Sequence, residues 1–231
     1  MDNITGVVVC YNTKGLIERA YNSVRKFHPD MPIIIVDSSS RNDPCASYVN
    51  NLKSDKATII NPGRNIGHGR GMHQGIMRTE TKYALIFDSD VQMVSDCVPA
   101  MLEKMEENTF GIGAIGNVGL GGNSVRPIPS NPRARKFIQQ RKRHKKRRAT
   151  AIPYLHPFFH LINVQNYKKY QPYVHHGAPC LLTMYDIYKK GLSKTILINF
   201  PNLKEHVKHD GRGTRIKYGL DSRTDPWKAI R

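Results

Sequence analysis

The sequence predicts one α/β domain: an open, mainly parallel sheet flanked by helices, with an elaborated second half. Two observations carry this expectation. Four short runs read as strands: ITGVVVC (4–10), IIIVD (33–37) and YALIFDSD (83–90) have the apolar character of buried strands, the first of them buried on both faces, and ATII (57–60) is a third strand between them. Helix-like stretches lie between them, and repeated strand–helix alternation is the pattern of a parallel sheet. At 231 residues the chain is long enough to bury a substantial core.

In order, Thr13 can cap a helix in which Leu16, Ile17, Ala20, Val24 and Phe27 recur at helical spacing. HPDMP (28–32) breaks it before the second strand, and a short helix over 44–52 precedes the third. NPGRNIGHGRG (61–71) reads as a loop leading into a helix over 71–79, and 95–107 reads as an amphipathic helix. GIGAIG (111–116) has the spacing of a dinucleotide fingerprint, but that motif needs a strand before it and a helix opening at its end. Here a helix precedes and more glycines come after, so a Gly-rich strand is the better reading. GLGGNSVRPIPSNP (119–132) is a loop by composition, and IPYLHPFFHLINVQNYKKYQPYVHHGAPC (152–180) is rich in aromatic residues and His. No repeat or second core interrupts a single domain over 1–231, divided into 1–118, a loop and basic arm over 119–150, and 151–231.

The formal net charge is +18. RARKFIQQRKRHKKRR (133–148) holds ten Lys or Arg; without them 26 Lys plus Arg face 18 Asp plus Glu, still +8. Such a balance points to polyanionic company: nucleic acid, an anionic membrane surface or a phosphorylated substrate. The four cysteines, at 10, 45, 97 and 180, form neither a zinc pattern nor a small disulfide framework. MDNITGVVVCYN lacks the basic and apolar regions of a signal peptide, and no apolar run approaches the roughly 20 residues of a membrane span. The expectation is a cytoplasmic compartment, that of a virus-infected host cell included, with peripheral membrane contact left open. The sequence carries no signal of oligomeric state.

The strongest local motif is FDSDV (87–91): two carboxylates one residue apart, at the carboxyl edge of the sheet where open α/β folds bind ligands. Their oxygens suit a hard divalent ion, Mg²⁺ or Mn²⁺, which could neutralise a diphosphate leaving group; the plainer reading is an acidic turn capping the next helix. The motif has company on the same edge: VVVCYN after strand one, IIIVDSSSRND after strand two, NIGHGRG after strand three.

This ordered set resembles the family 2 glycosyltransferases of the GT-A (Rossmann-like) fold, over about residues 4 to 118. The resemblance makes 1–118 a nucleotide-sugar-binding half and 151–231 an acceptor-side half. It implies a nucleotide-sugar donor, most simply a UDP-sugar, and transfer of a hexosyl or pentosyl group. By position, Tyr11 and Asn12 would lie at the donor base, Asp37 would bond base or ribose, and Asn65 and Gly67 would lie by ribose and diphosphate. Arg70 would meet phosphate, Asp88 would face ribose or metal, and Asp90 would bind the metal. HHGAPCLLT (175–183) looks like the family's Gly-Ala strand, and EHVKHDGRGTR (205–215) like its late His segment, making His209 the metal ligand and His206 the runner-up. The family's Glu-Asp pair, source of the catalytic base, is absent from MYDIYKKGLSKTILINFPNLK (184–204), leaving His176 and Asp186 as base candidates and inversion or retention open.

Asn131 and Pro132 make a good helix start for the basic run, anchored only by Ala134, Phe137 and Ile138. The run could be a solvated arm, a contact for an anionic membrane bearing lipid-linked or cell-surface glycans, or a grip on a nucleic acid acceptor. Nucleic acid is favoured, because an insertion arm would carry more apolar bulk. Arg141, Lys142, Arg143, Lys145, Lys146, Arg147 and Arg148 would then neutralise phosphates. Tyr154, Phe158, Phe159, Tyr167, Tyr170 and Tyr173 could stack on an unpaired base, or simply pack the core. The acceptor would be a hydroxymethylated base in DNA, a chemistry known from phages. A non-catalytic nucleic-acid-binding module is the rival reading.

Overall fold

The computed structural model describes residues 3–119, 151–174 and 178–210. The basic arm and His176 lie outside these residues. Nine strands are described: β1 (Ile4–Cys10), β2 (Ile33–Asp37), β3 (Ala57–Ile60), β4 (Tyr83–Asp88), β5 (Val91–Met93), β6 (Gly111–Gly119), β7 (Ala151–Asn163), β8 (Leu197–Asn199) and β9 (Val207–His209). The helices are α1 (Lys14–Phe27), α2 (Pro44–Asn51), α3 (His68–Met77), α4 (Val98–Leu102), α5 (Val164–Tyr167), α6 (Leu181–Lys189), α7 (Ser193–Ile196) and α8 (Leu203–His206).

Seven strands form one sheet in the order β3-β2-β1-β4-β7-β6-β8, and β5 pairs with β9 apart from it. The first four are mutually parallel, as the β-branched runs predict, and every residue of β1 and β2 is buried. β7 enters antiparallel between β4 and β6. One apolar layer packs α1, α2 and α4 on one face, through Ile17, Val24, Cys45, Val49, Val98 and Met101. The other packs α3, α5, α6 and α7 through Met72, Ile76, Tyr167, Met184, Ile187 and Ile196. α3 approaches closely: a Cβ on Gly75 would run into a methyl of Val7, and one on Gly71 would sit 2.7 Å from a methyl of Val9.

GIGAIG is a strand, as its flanks suggested. Gly113 leaves room for β7, because a Cβ there would lie 2.8 Å from that of His160. Several expectations need correction. Thr13 stands at the start of α1 but makes no side-chain cap, and its Oγ1 is buried without a hydrogen bond. The 95–107 helix shrinks to Val98–Leu102, because Thr109 closes a turn on Glu106, its Oγ1 accepting from Glu106 N at 3.1 Å and its N–H donating to Glu106 O at 3.1 Å. Of the expected Gly-Ala strand at 175–183, residues 175–177 lie outside the described residues, and 178–180 are instead a turn running into α6, whose first amide donates to Ala178 O at 3.1 Å.

The aromatics offered for base stacking are core residues. Tyr154, Phe158, Phe159, Tyr167 and Tyr173 are buried, and Tyr170 packs edge-on against Phe110. Apolar burial, worth about 1.5–3 kcal/mol per large side chain, explains them without a ligand.

Candidate active site

The parallel register sets the site. Val9 of β1 lies opposite Asp88 of β4, so Tyr11 and Asp90 leave adjacent strands on the same edge. A tight turn at 89–90 leads into β5, and β9 pairs antiparallel with it, placing His209 opposite Val91. Asp210 N–H donates to Asp90 O at 2.8 Å and extends that pairing by one bond. Residues 120 apart in the chain are thereby held together on about three residues of backbone pairing.

Asp88, Asp90 and His209 each offer one ligand atom, and the three atoms lie within 4.8 Å of one another. His209 Nε2 is 3.8 Å from Asp90 Oδ1. His68, the first residue of α3, reaches over from the opposite side, with Nε2 2.9 Å from Asp88 Oδ1. This is ion-pair distance without hydrogen-bond alignment, and Asp88 Oδ1 is a buried oxygen with no hydrogen-bond partner. His206, the runner-up ligand, is placed elsewhere: its Nδ1 bonds Ser95 Oγ at 2.8 Å.

The electrostatics are those of crowded negative charge. Burial and the neighbouring Asp88 raise the Asp90 carboxyl above its ordinary value. For Asp88 burial acts upward, but His68 above all, with His209 and His156, holds it below the usual range. Burial works against the charge on His68, and Asp88 outweighs it, raising the imidazole. Two carboxylates and an imidazole whose ligand atoms lie within 4.8 Å of one another fit a divalent cation that prefers oxygen and nitrogen donors.

The other candidates lie along the same edge with different fates. Asn12 has a left-handed backbone (φ 51°) and stitches β1 to the segment after β2: its N–H donates to Ser39 Oγ at 2.8 Å, and Ser40 N–H donates to its Oδ1 at 2.9 Å. Asp37 is fully buried; its Oδ1 accepts from Ser39 N–H at 2.9 Å and from the Cys10 thiol at 3.4 Å. Through Oδ1 it therefore holds the loop at Ser39 and the end of β1. Tyr11 is half-buried at the end of β1. Asn65 Oδ1 accepts Gly67 N–H at 2.9 Å, and Gly67 stands before α3 at φ 82°, ψ 154°, a conformation open to glycine alone. Arg70 is half-buried in the first turn of that helix.

Asp186 is a correction. It lies on α6, 3.7 Å from Lys190, whose ammonium covers Tyr170 beside Phe110. Phe110 meets the end of β7 that pairs with the start of β4, the edge opposite Asp88, so Asp186 is not at the metal group.

The sequence reading missed His68, His156 and His160. His156 sits in an irregularity of β7, where residues 156–159 oppose the single residue Ala114 of β6, and such bulges redirect side chains. Its ring is 4.7 Å from Phe158, itself 5.4 Å from His209, and burial lowers its pKa to about 4. The signal lay in the alternation of His156, Phe158 and His160, hidden by Pro153 and Pro157.

A Rossmann-like sheet with this acidic group at its carboxyl edge defines a nucleotide-sugar transferase fold. A sequence profile of glycosyl transferase family 2 matches residues 5–171, and the chain belongs to that family. No curated protein matches it significantly. Solved structures share the fold. A mannosyltransferase from Pyrobaculum calidifontis, in complex with GDP-Man and Mn²⁺, aligns with TM-score 0.56 at 17% identity, over 87% of this chain and 55% of its own. Glucosyl-3-phosphoglycerate synthase from Mycobacterium tuberculosis, in complex with Mn²⁺, UDP and glucosyl-3-phosphoglycerate, gives 0.55 at 15%, over 95% and 76%. S. aureus TarS 1–349 gives 0.55 at 13%, over 99% and 68%. Among the described residues, no helix is long and apolar enough to cross a membrane.

Proposed function

We propose that this chain transfers a sugar from a nucleoside diphosphate sugar, a UDP-sugar first among them, to a hydroxyl of a polyanionic acceptor, a hydroxymethylated base in DNA. The observation that carries the reading is the convergence of Asp88, Asp90 and His209 within 4.8 Å at the sheet edge of a family 2 chain. These three side chains would hold Mn²⁺ or Mg²⁺, which supplies Lewis-acid neutralisation of a departing diphosphate. Two fold relatives, one in complex with GDP-Man and Mn²⁺ and one with UDP and Mn²⁺, support donor and metal class. His68 holds Asp88 in place and charged, Gly67 lets the chain turn into α3 through a backbone conformation that no side chain tolerates, and Arg70 offers a guanidinium to phosphate oxygens. The acceptor rests on charge: +18 overall, concentrated in the run at 133–148 between the donor half and the acceptor half.

A donor-labelled transfer assay over hydroxymethylated DNA, unmodified DNA and lipid-linked sugars tests this. Label should enter hydroxymethylated DNA alone. Neutralising Arg141, Lys142, Arg143, Lys145, Lys146, Arg147 and Arg148 should flatten the fall of DNA affinity with salt. Label in lipid-linked sugars, with anionic vesicles bound and DNA not, would replace the DNA acceptor. No transfer or donor hydrolysis with any donor, metal and acceptor would favour a non-catalytic module.

A further inference from the structure

His209 reaches the metal group on a short ladder. Val91 lies opposite His209, Gln92 opposite Lys208 and Met93 opposite Val207, and this β5–β9 pair stands apart from the seven-stranded sheet. Side chains alternate between the two faces of such a pair. Val91, Met93 and Val207 are buried, and His209 shares their face, its ring 5.4 Å from that of Phe158. Gln92, Lys208 and Asp210 share the other face. A slip of one residue would turn His209 outward and leave the metal group without its imidazole. Two strands by themselves are marginally stable, so this register needs a further hold.

Asp210 supplies it beside His209. Its N–H continues the ladder to Asp90 O, and its carboxylate reaches further: Oδ2 accepts from Gln92 Nε2 at 2.8 Å and from Arg19 Nη2 at 3.2 Å. Gln92 is its diagonal neighbour across the pair, within reach of a long side chain. Arg19 belongs to α1, which packs on the main sheet through Ile17 and Val24. One carboxylate thus ties β9 to β5 and the pair to the body of the protein. The Gln92 bond is partly buried and the Arg19 bond exposed; an exposed ion pair contributes little, so Gln92 carries more of the hold. The far end of β9 has its own fastening, Ser95 Oγ to His206 Nδ1 at 2.8 Å, three residues from His209.

We propose that Asp210 is a positioning residue: bonded to Gln92 and Arg19, its carboxylate fixes the register in which β9 presents His209 to Asp90. Asp210 is not one of the three grouped ligands. Its role rests on the reading of Asp88, Asp90 and His209 as a metal group.

Titration of the full chain with Mn²⁺, followed by the electron paramagnetic resonance of the free ion, tests it. Asp210→Ala should weaken Mn²⁺ binding by roughly tenfold or more, the usual cost of losing an outer-shell partner. Asp210→Asn keeps an oxygen for Gln92 and Arg19 and should retain most of the affinity. A loss equal to that of Asp210→Ala would mean that only the charge matters, and overturns the proposal. Positioning acts through His209, so in a His209→Ala background Asp210→Ala should cost nothing further; an undiminished loss there overturns it too. Should Asp210→Ala fail to fold, Gln92→Ala decides, since it removes one donor and leaves the carboxylate. Mn²⁺ affinity should then fall several-fold with His209 present and not at all in His209→Ala, and an unchanged affinity with His209 present overturns the proposal. A wild type that binds Mn²⁺ with an affinity indifferent to Asp210→Ala overturns the positioning role alone, whereas a wild type that binds no Mn²⁺ overturns the metal group with it.

Discussion

Asp88 and Asp37 end strands on either side of β1, yet the chain treats the two carboxylates in opposite ways. The Asp88 side chain is 17% exposed, next to a second carboxylate and two imidazoles, while Asp37 is 0% exposed next to two thiols. The segment that leaves each strand makes the difference. After Asp88 a two-residue turn and the β5–β9 pair splay the chain outward and bring His209 in from the side. After Asp37, Ser39 folds back onto the carboxylate and Asn12 ties the next residue down, so the loop closes over it. Strand ends in an open α/β sheet thus supply positions, and the connecting backbone decides whether a position becomes a crevice or a lock.

The largest effect should separate the two. Asp90→Ala removes an oxygen donor where diphosphate charge would be neutralised and should cost about 3 kcal/mol or more, a hundredfold or greater loss in Mn²⁺-dependent hydrolysis of UDP-sugar, with little change in Tm. Asp37→Ala instead strands the Ser39 amide and the Cys10 thiol inside the protein, a loss of about 1–3 kcal/mol seen as a lower Tm. If Asp37→Ala left Tm unchanged and abolished hydrolysis, Asp37 would be a crevice residue after all and the contrast would collapse.

His68 tests how the open cluster is held. It sits 2.9 Å from Asp88 without being one of the three grouped ligands. His68→Ala should weaken Mn²⁺ binding by about 10–100-fold, the usual cost of an outer-shell partner, read by titration of Mn²⁺ against the full chain. An unchanged affinity would mean that Asp88 needs no support from α3.

The same contrast sets how much of the molecule was legible in its sequence. β1 and β2 were readable because both are buried on both faces and so written in continuous β-branched residues, and β4 because Tyr83–Phe87 is a continuous buried apolar run; β3, an edge strand with Thr58 exposed, was readable from its place in the strand–helix alternation. The Asp88–Asp90 spacing and the late His209 were readable because a local motif and a familiar order of segments survive in the chain. β7 was not. Pro153 and Pro157 argue against a central strand, and the fold evades them: β4 pairs with β7 only from Phe159 onward, and 156–159 bulge away from β6, so neither proline needs a ladder amide. His68 was hidden because it starts a helix at a position that reads as loop, with Gly67 rather than a Ser, Thr or Asp before it. Asp37's closure depends on Ser39 and Asn12 acting across 27 residues, which no local pattern records.

The smallest effect concerns His160, on the same bulged strand and opposite Ile86, where the Asp88 charge opposes the effect of burial. It is completely buried, its Nε2 lies 3.2 Å from Tyr173 Oη, and burial lowers its pKa to about 3. In the unfolded chain an imidazole titrates near pH 6.5. Below that value the unfolded state takes up a proton that the folded state refuses, so the unfolded state binds more protons and stability falls as the pH is lowered. The contribution is fully present above about pH 6.5 and is lost progressively toward pH 3; across the single unit from 6.5 to 5.5 it amounts to about 1 kcal/mol. His160→Gln keeps an amide for Tyr173 and cannot titrate, so its unfolding free energy should fall less than the wild type's over that unit. Denaturant melts of both proteins at pH 6.5 and 5.5 measure the difference, which His156 and the carboxylates share equally and so cancel. A variant that loses as much as the wild type would show that His160 is charged in the folded protein, with a counter-charge close enough to offset its burial.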